Sequence, residues 1–483
     1  MKKASIGLIG LAVMGENLVL NMESKGYSVA VYNRTHKKID DFINSRAKDK
    51  NIIPSYSIKE LVDNVEKPRK IMMMVRAGEA VDKTIEALLP YLDENDIIID
   101  GGNSNYKDTN RRMSFVNSLN VLYVGAGVSG GEEGALNGPS IMPGGNIEAW
   151  EKIRPIFQNI SAKVNENEVC CNWIGPQGSG HFVKMVHNGI EYGDMELISE
   201  IYDIMRKVFN LSYPKMHSIF NKWNEKELNS YLIEITSDIL NFNDADSTPL
   251  VEKILDVAGQ KGTGKWTVIE ALDKGVDLSL ITEAVFARIN SSNLKERQEA
   301  KSEYSKISYS PILINDSIIS DLYSALFVSK IISYAQGFSL IKKASDDNNW
   351  NLDLSEIALM WRGGCIIRSS FLNNISEAFL ENPKLNNLLL NSYFKNIILN
   401  NHKGLRNIIS LAITNGVATP ALSAALSYFD SYISDNLPTN LIQAQRDYFG
   451  AHTYQRNDDD SMSYIHTNWT RKGGNTSSTN YDV

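Results

Sequence analysis

Lys184, His187, Asn188 and Glu191 recur at three- and four-residue spacing within residues 180–194. On a helix, at 100° per residue, they share a wedge of about 100°, while Phe182, Val186, Gly189, Ile190 and Gly193 take the other side. A lysine that sheds its proton is a base, and a carboxylic acid two turns along the same face can return a proton elsewhere. Together the pair can draw a proton from an alcohol and deliver one to carbon. The same spacing also describes an amphipathic helix with a solvated polar face, so the surrounding elements have to decide between the two.

The elements ahead of this helix are those of a nucleotide fold. Short apolar runs at 5–9, 29–32, 71–75, 97–100 and 121–124 alternate with helical patterns over the first 175 residues, as in a doubly wound parallel sheet. The first run leads into Gly10, Leu11, Ala12, Val13, Met14 and Gly15, a dinucleotide-loop variant with alanine in the middle glycine position. Small residues are needed there because backbone N–H groups at the start of the next helix must approach a pyrophosphate closely. The second strand ends in Asn33, Arg34 and Thr35 rather than in an acidic residue. A carboxylate there would hold a ribose 2′-hydroxyl, whereas Arg34 suits a 2′-phosphate, which favours NADP over NAD. Val75, Arg76 and Ala77, and the stretch 100–104 with Asn103, sit where open α/β sheets form their ligand crevice.

Size and composition bound the rest. With 483 residues the chain exceeds one hydrophobic core, and 43% hydrophobic with 22% charged residues is an ordinary globular balance. The net charge of −8 argues against a nucleic-acid binder, so any anionic ligand must meet a local cluster of cations. Cys170, Cys171 and Cys365 make neither a disulfide framework nor a metal site, which fits a reducing compartment, the cytoplasm. The start of the chain superficially resembles a secretory signal, but its glycines belong to the dinucleotide loop. No run of about 18 apolar residues is visible, and no membrane span is expected.

A Gly- and Pro-rich stretch at 175–180 marks a boundary, after which the periodicity is helical to about residue 440, as over 191–209, 317–344 and 422–433. The last residues are too polar to form a core of their own, yet Tyr448, Phe449, Tyr464, Ile465 and Trp469 imply that part of them docks. One decoy stands out. Gly259, Gly264 and Lys265 fit a triphosphate P-loop, but Trp266 occupies the magnesium-binding position and 250–258 reads as helix where a strand is required. The run remains a basic glycine-rich loop with Lys261 free for a phosphate.

Taken together, 10–15, 33–35, 100–104, 127–134, the Lys184 helix, 259–267 and 443–453 resemble, in order, the 6-phosphogluconate dehydrogenase family over essentially the whole chain. The resemblance implies an α/β Rossmann-like N-terminal domain (1–178), a large all-α domain for substrate and dimerisation (179–440) and a C-terminal tail (441–483). It implies oxidative decarboxylation of 6-phosphogluconate by NADP, with Lys184 as base then acid, Glu191 as the acid toward carbon, and His187 and Asn188 beside the reacting hydroxyls. The same resemblance places Ser129, Gly130 and Gly131 at the sugar-acid carboxylate and Asn103 against both ligands. Tyr192, Lys261, Arg288, Arg446 and His452 then bind chiefly the phosphate end, the last two from a partner subunit in a homodimer. No metal is required. Arg76 stands where the family usually has lysine, which bears on cofactor affinity, and 456–463 looks particular to this chain and solvated. The wider β-hydroxyacid dehydrogenases, acting on small unphosphorylated acids, share the loop and the lysine. Lys261, Arg288 and Arg446 speak against that alternative.

Overall fold

The computed structural model describes residues 3–165, 168–305, 311–473 and 476–478. The chain divides into two compact units, Met1–Ala425 and Leu426–Val483. The first opens with eight strands: β1 (Ile6–Ile9), β2 (Val29–Tyr32), β3 (Ile52–Ser55), β4 (Lys70–Met73), β5 (Ile97–Asp100), β6 (Leu122–Val128), β7 (Ile141–Gly145) and β8 (Gly175–Pro176). They form one sheet in the order β3-β2-β1-β4-β5-β6-β7-β8. Between them run α1 (Val13–Ser24), α2 (His36–Asn44), α3 (Ile58–Asp63), α4 (Glu79–Leu88), α5 (Tyr106–Asn117), α6 (Gly131–Asn137) and α7 (Ile147–Ile160).

Successive side chains of β5 show why these runs are apolar throughout. Ile97 and Ile99 join a core with Leu8, Val31, Trp150 and Phe157, while Ile98 joins a second with Ile71, Met73 and Tyr123. Helices cover both faces, so both sets of alternating residues are buried. The sheet departs from the all-parallel expectation at β7, which runs antiparallel to β6. Three strands were not read from the pattern: β3 is an edge strand containing Pro54, β7 carries Pro143 followed by Gly144 and Gly145, and β8 has two residues.

The helical region comprises α8 (Ser179–Lys207), α9 (Tyr213–Asn224), α10 (Tyr231–Asn241), α11 (Thr263–Asp273), α12 (Ser279–Ser292), α13 (Leu294–Glu303), α14 (Asp316–Asn348), α15 (Leu354–Met360), α16 (Leu372–Glu381), α17 (Ser392–Thr414), α18 (Pro420–Tyr432) and α19 (Thr439–Gly450). The expected helix over 250–258 is corrected. Only Leu250–Lys253 turns, as a short 3-10 segment, and the chain then runs irregularly to Thr263. The expectation that no segment reaches membrane-spanning length and apolarity is corrected as well. α14 does so, but 72% of its apolar window is buried, because α8 and α17 pack against it. It also carries Lys330, fully buried and 2.5 Å from Asp194 of α8, a pair that fixes the register of two core helices.

Candidate active site

The cofactor side is built at the C-terminal ends of β1, β2 and β4. Gly10 leaves β1 with φ +105°, and a side chain there would meet the Met74 carbonyl oxygen at 2.4 Å, so the tight turn requires glycine. Ala12 starts α1 without a side-chain cap, leaving first-turn N–H groups at the edge of a cleft of about 650 Å³. That cleft is lined by Gly10, Leu11 and Ala12, by Asn33, Arg34 and Thr35, and by Val75 and Arg76. The Asn33 side chain accepts the Leu11 N–H at 3.0 Å and donates to the Thr35 carbonyl at 3.1 Å, so it ties the phosphate loop to the turn that bears Arg34. Lys38 and Lys83 line the same space, two cations that the pattern did not single out. A donor set this rich in cations, beside an uncapped helix start, fits a nucleotide with an additional phosphate.

From this cleft the sheet leads to the helix of the proton-transfer groups. The turn after β5 brings Gly102 close against the Val75 carbonyl, with Asn103 next in the chain. Asp100, buried at the end of β5, shapes that turn by accepting the Gly102 N–H at 3.1 Å and the Ser104 hydroxyl at 2.6 Å. His181, in the first turn of α8, meets the Asp100 carbonyl at 3.1 Å and the Thr109 hydroxyl at 2.7 Å. One turn further, Lys184 lies over β6, where a Cβ on Gly127 would be 2.3 Å from its own Cβ.

α8 is enclosed by β6, β7, α5, α11, α12 and α14. The polar face is therefore not solvated: Lys184 is 5% exposed, His187 0% and Asn188 8%, while Glu191 is partly open. Lys184 Nζ sits 3.4 Å from His187 Nδ1, and among the described residues it has no carboxylate within ion-pair distance. Burial pulls its pKa from 10.5 to about 8, opposed by Glu191 and assisted by Lys261. Burial raises the Glu191 carboxyl above its ordinary value, against the pull of Lys184 and Arg288. His187, buried and next to Lys184, is held well below its ordinary value and is neutral. Its ring links Ser129 Oγ at 3.1 Å on one side to the Asn188 side-chain oxygen at 3.1 Å on the other.

Asn188 in turn donates to the Thr263 hydroxyl at 3.1 Å, which anchors the loop carrying Lys261. Thr263 was not expected from the sequence; nothing in a glycine-rich loop marks its first helical threonine as a partner for α8. Gly130 and Gly131 have φ of +112° and +62° and lead into α6 directly after Ser129. The Arg288 guanidinium stacks 3.5 Å from the centre of the buried Tyr192 ring, one residue beyond Glu191. Thus Ser129, Lys184, His187, Asn188, Glu191, Tyr192, Lys261 and Arg288 are brought into one neighbourhood. Arg446 and His452 belong to the second unit, where Arg446 bonds the Gln443 side chain at 3.1 Å and His452 the Ser478 hydroxyl at 2.8 Å.

Comparison with known proteins establishes the family. Residues 5–175 match the NAD binding domain of 6-phosphogluconate dehydrogenase, and 180–469 its C-terminal domain. The chain belongs to the 6-phosphogluconate dehydrogenase family. It is 56% identical to the decarboxylating 6-phosphogluconate dehydrogenase of Haemophilus ducreyi, over 100% of this chain and 99% of that one. It is 55% identical to the NADP(+)-dependent, decarboxylating enzyme of Bacillus subtilis, over 98% and 100% of the two chains. Among solved structures, 6-phosphogluconate dehydrogenase from Plasmodium falciparum superposes with a TM-score of 0.91 at 46% identity, covering 96% of this chain and all of that one. That protein was solved in its apo form, with its cofactor NADP+ and with its substrate 6-phosphogluconate.

Proposed function

We propose that the chain is an NADP-dependent decarboxylating 6-phosphogluconate dehydrogenase, converting 6-phospho-D-gluconate to D-ribulose 5-phosphate and CO2. One observation carries the assignment of roles: a buried lysine with a pKa of about 8 shares a helix face with a carboxyl whose pKa is raised by burial. NADP, when bound at the β1–α1 turn, supplies the hydride acceptor. Lys184 in its neutral form takes the proton of the C3 hydroxyl as the C3 hydrogen leaves as hydride. The product of that step is a β-keto acid. As its C–C bond to the carboxylate breaks and CO2 departs, protonated Lys184 returns its proton to the C3 oxygen, giving an enediol. Glu191, whose carboxyl burial biases toward its protonated form, delivers a proton to the carbon that lost CO2, while the enediol hydroxyl gives its proton back to Lys184. His187, neutral and bonded to Ser129, donates or accepts hydrogen bonds at the substrate hydroxyls without competing for these protons.

The same proposal assigns the organisation of the chain. Residues 1–178 hold NADP, 179–440 hold the substrate and the dimer contact, and 441–483 complete the neighbouring site with Arg446 and His452. Exposed Leu441, Ile442, Tyr448 and Phe449 on and beside one another in α19 support docking on a second copy. Three buried free thiols support a reducing, cytoplasmic setting. NADPH formation together with CO2 release from 6-phosphogluconate tests the reaction. Lys184→Met abolishes both while the protein stays folded. Truncation before Arg446 removes activity; full turnover by the shortened chain would reject the shared site.

A further inference from the structure

The second unit has a buried polar centre. Asp447 is the fully buried residue of α19, and four donors converge on its carboxylate. Oδ1 accepts the Thr453 N–H at 3.0 Å and His466 Nδ1 at 2.9 Å, while Oδ2 accepts the Thr467 N–H at 3.0 Å and the Trp469 indole N–H at 2.8 Å. These donors come from the two sides of the excursion 451–469, whose ends also pair through Tyr454 and Ile465 in both directions at 2.9 Å. Ala451 and Thr453 have positive φ, so the reversal after Gly450 is a backbone conformation that needs outside support. The Gln443 amide donates to the Thr453 carbonyl and accepts from Arg446. Thr453, the residue after His452, is thereby held at both ends, by Asp447 at its N–H and by Gln443 at its carbonyl.

We infer that Asp447 is a positioning residue for the phosphate end of 6-phosphogluconate, fixing Arg446 and His452 in one geometry through the Thr453 backbone and the returning segment 465–469. The inference rests on the reading that the tail supplies those two side chains to the site. An ion is needed at this position because a carboxylate is an acceptor at both oxygens. An asparagine of the same shape matches two of the four donors and turns its own N–H groups toward the other two. Burial alone would raise the Asp447 pKa, but the bonds from Thr467, His466 and Trp469 outweigh it and hold the group ionised. Since the tail touches the substrate far from the reacting carbons, loosening it weakens ground state and transition state alike, which appears in KM and not in kcat.

Steady-state kinetics of the full-length enzyme with Asp447→Asn, Trp469→Phe and Arg446→Ala tests this. Asp447→Asn raises KM for 6-phosphogluconate by about tenfold, the factor corresponding to 1.4 kcal/mol, with kcat and KM for NADP within about twofold of the parent. Trp469→Phe, which keeps an aromatic ring and removes one donor, shifts KM in the same direction by less, and serves alone if Asp447→Asn does not fold. An unchanged KM in both variants while Arg446→Ala raises it overturns the positioning role, as does a fall in kcat with KM unchanged, the mark of a merely structural contribution. An unchanged KM in Arg446→Ala removes the tail from the site, and the inference falls with that reading.

Discussion

Gly127 touches no ligand in the proposed mechanism, yet replacing it by alanine should disable the enzyme. The added Cβ would sit 2.3 Å from Lys184 Cβ and 2.8 Å from Cγ, against ordinary contact beginning at 3.4 Å, so the lysine stem must retreat by about 1.1 Å. α8 cannot move away as a body, because α11, α12 and α14 close it from the other sides. A misplacement of about 1 Å costs on the order of 10²-fold in rate, equivalent to about 2.7 kcal/mol of barrier. Overpacking lowers stability as well, by about 1–3 kcal/mol, so the assay belongs well below the unfolding midpoint of the variant. Initial rates of NADPH formation at saturating substrate should fall about a hundredfold in Gly127→Ala. KM for NADP should hold, since the cofactor cleft is built on β1, β2 and β4. A folded Gly127→Ala enzyme with kcat within about threefold of the parent would refute the reasoning, because Lys184 would then not depend on its seat over β6.

Lys184 also strains the fold. In the folded protein it loses its proton near pH 8, in the unfolded chain near 10.5, so the folded state pays for burying the ammonium at lower pH. Between these values the unfolded chain alone keeps the proton, and stability rises with pH across that window. The displacement corresponds to about 3 kcal/mol, so Lys184→Met should unfold at higher denaturant than the parent at pH 7, an advantage that fades by pH 10; equal midpoints at pH 7 would contradict this. Arg34→Asp should reduce the ratio of kcat/KM for NADP over NAD by about tenfold to a hundredfold, the worth of a charge-assisted phosphate contact; an unchanged ratio would mean that Lys38 or another cation discriminates. Lys330→Met should destabilise by about 3–5 kcal/mol in urea unfolding because it strands Asp194, and adding Asp194→Asn should restore most of the loss.

The nucleotide half was legible because its signals are local. The β1 turn needs glycine for a positive φ, and the Arg34 turn follows its strand directly. The other strands escaped for the same reason: Pro54 of the edge strand β3, and Pro143 and the glycines of β7, read as breakers, and their place in the sheet comes only from pairing partners distant in sequence. The helix face of Lys184, His187, Asn188 and Glu191 was visible in the spacing, but periodicity gives identical patterns for a polar face in water and one sealed by neighbours. What separates the two cases is that β6, β7 and the helices α5, α11, α12 and α14 close over it, which no local pattern records. The Thr263 bond to Asn188, the seat of Lys184 on Gly127 and the Asp447 centre are contacts between distant residues, each carried by an ordinary side chain. The tail, too polar to build an apolar core, organises itself around one buried carboxylate instead.

The central claim is that Lys184 is available as a neutral base near physiological pH while its neighbours keep it there. Its ionisation can be followed directly by NMR titration of the ligand-free enzyme labelled with carbon-13 at lysine Cε, the Lys184 signal being the one missing from Lys184→Arg. A midpoint at about 8 is the predicted result, well apart from the surface lysines. A Lys184 signal that titrates with those lysines near 10.5 would contradict the account.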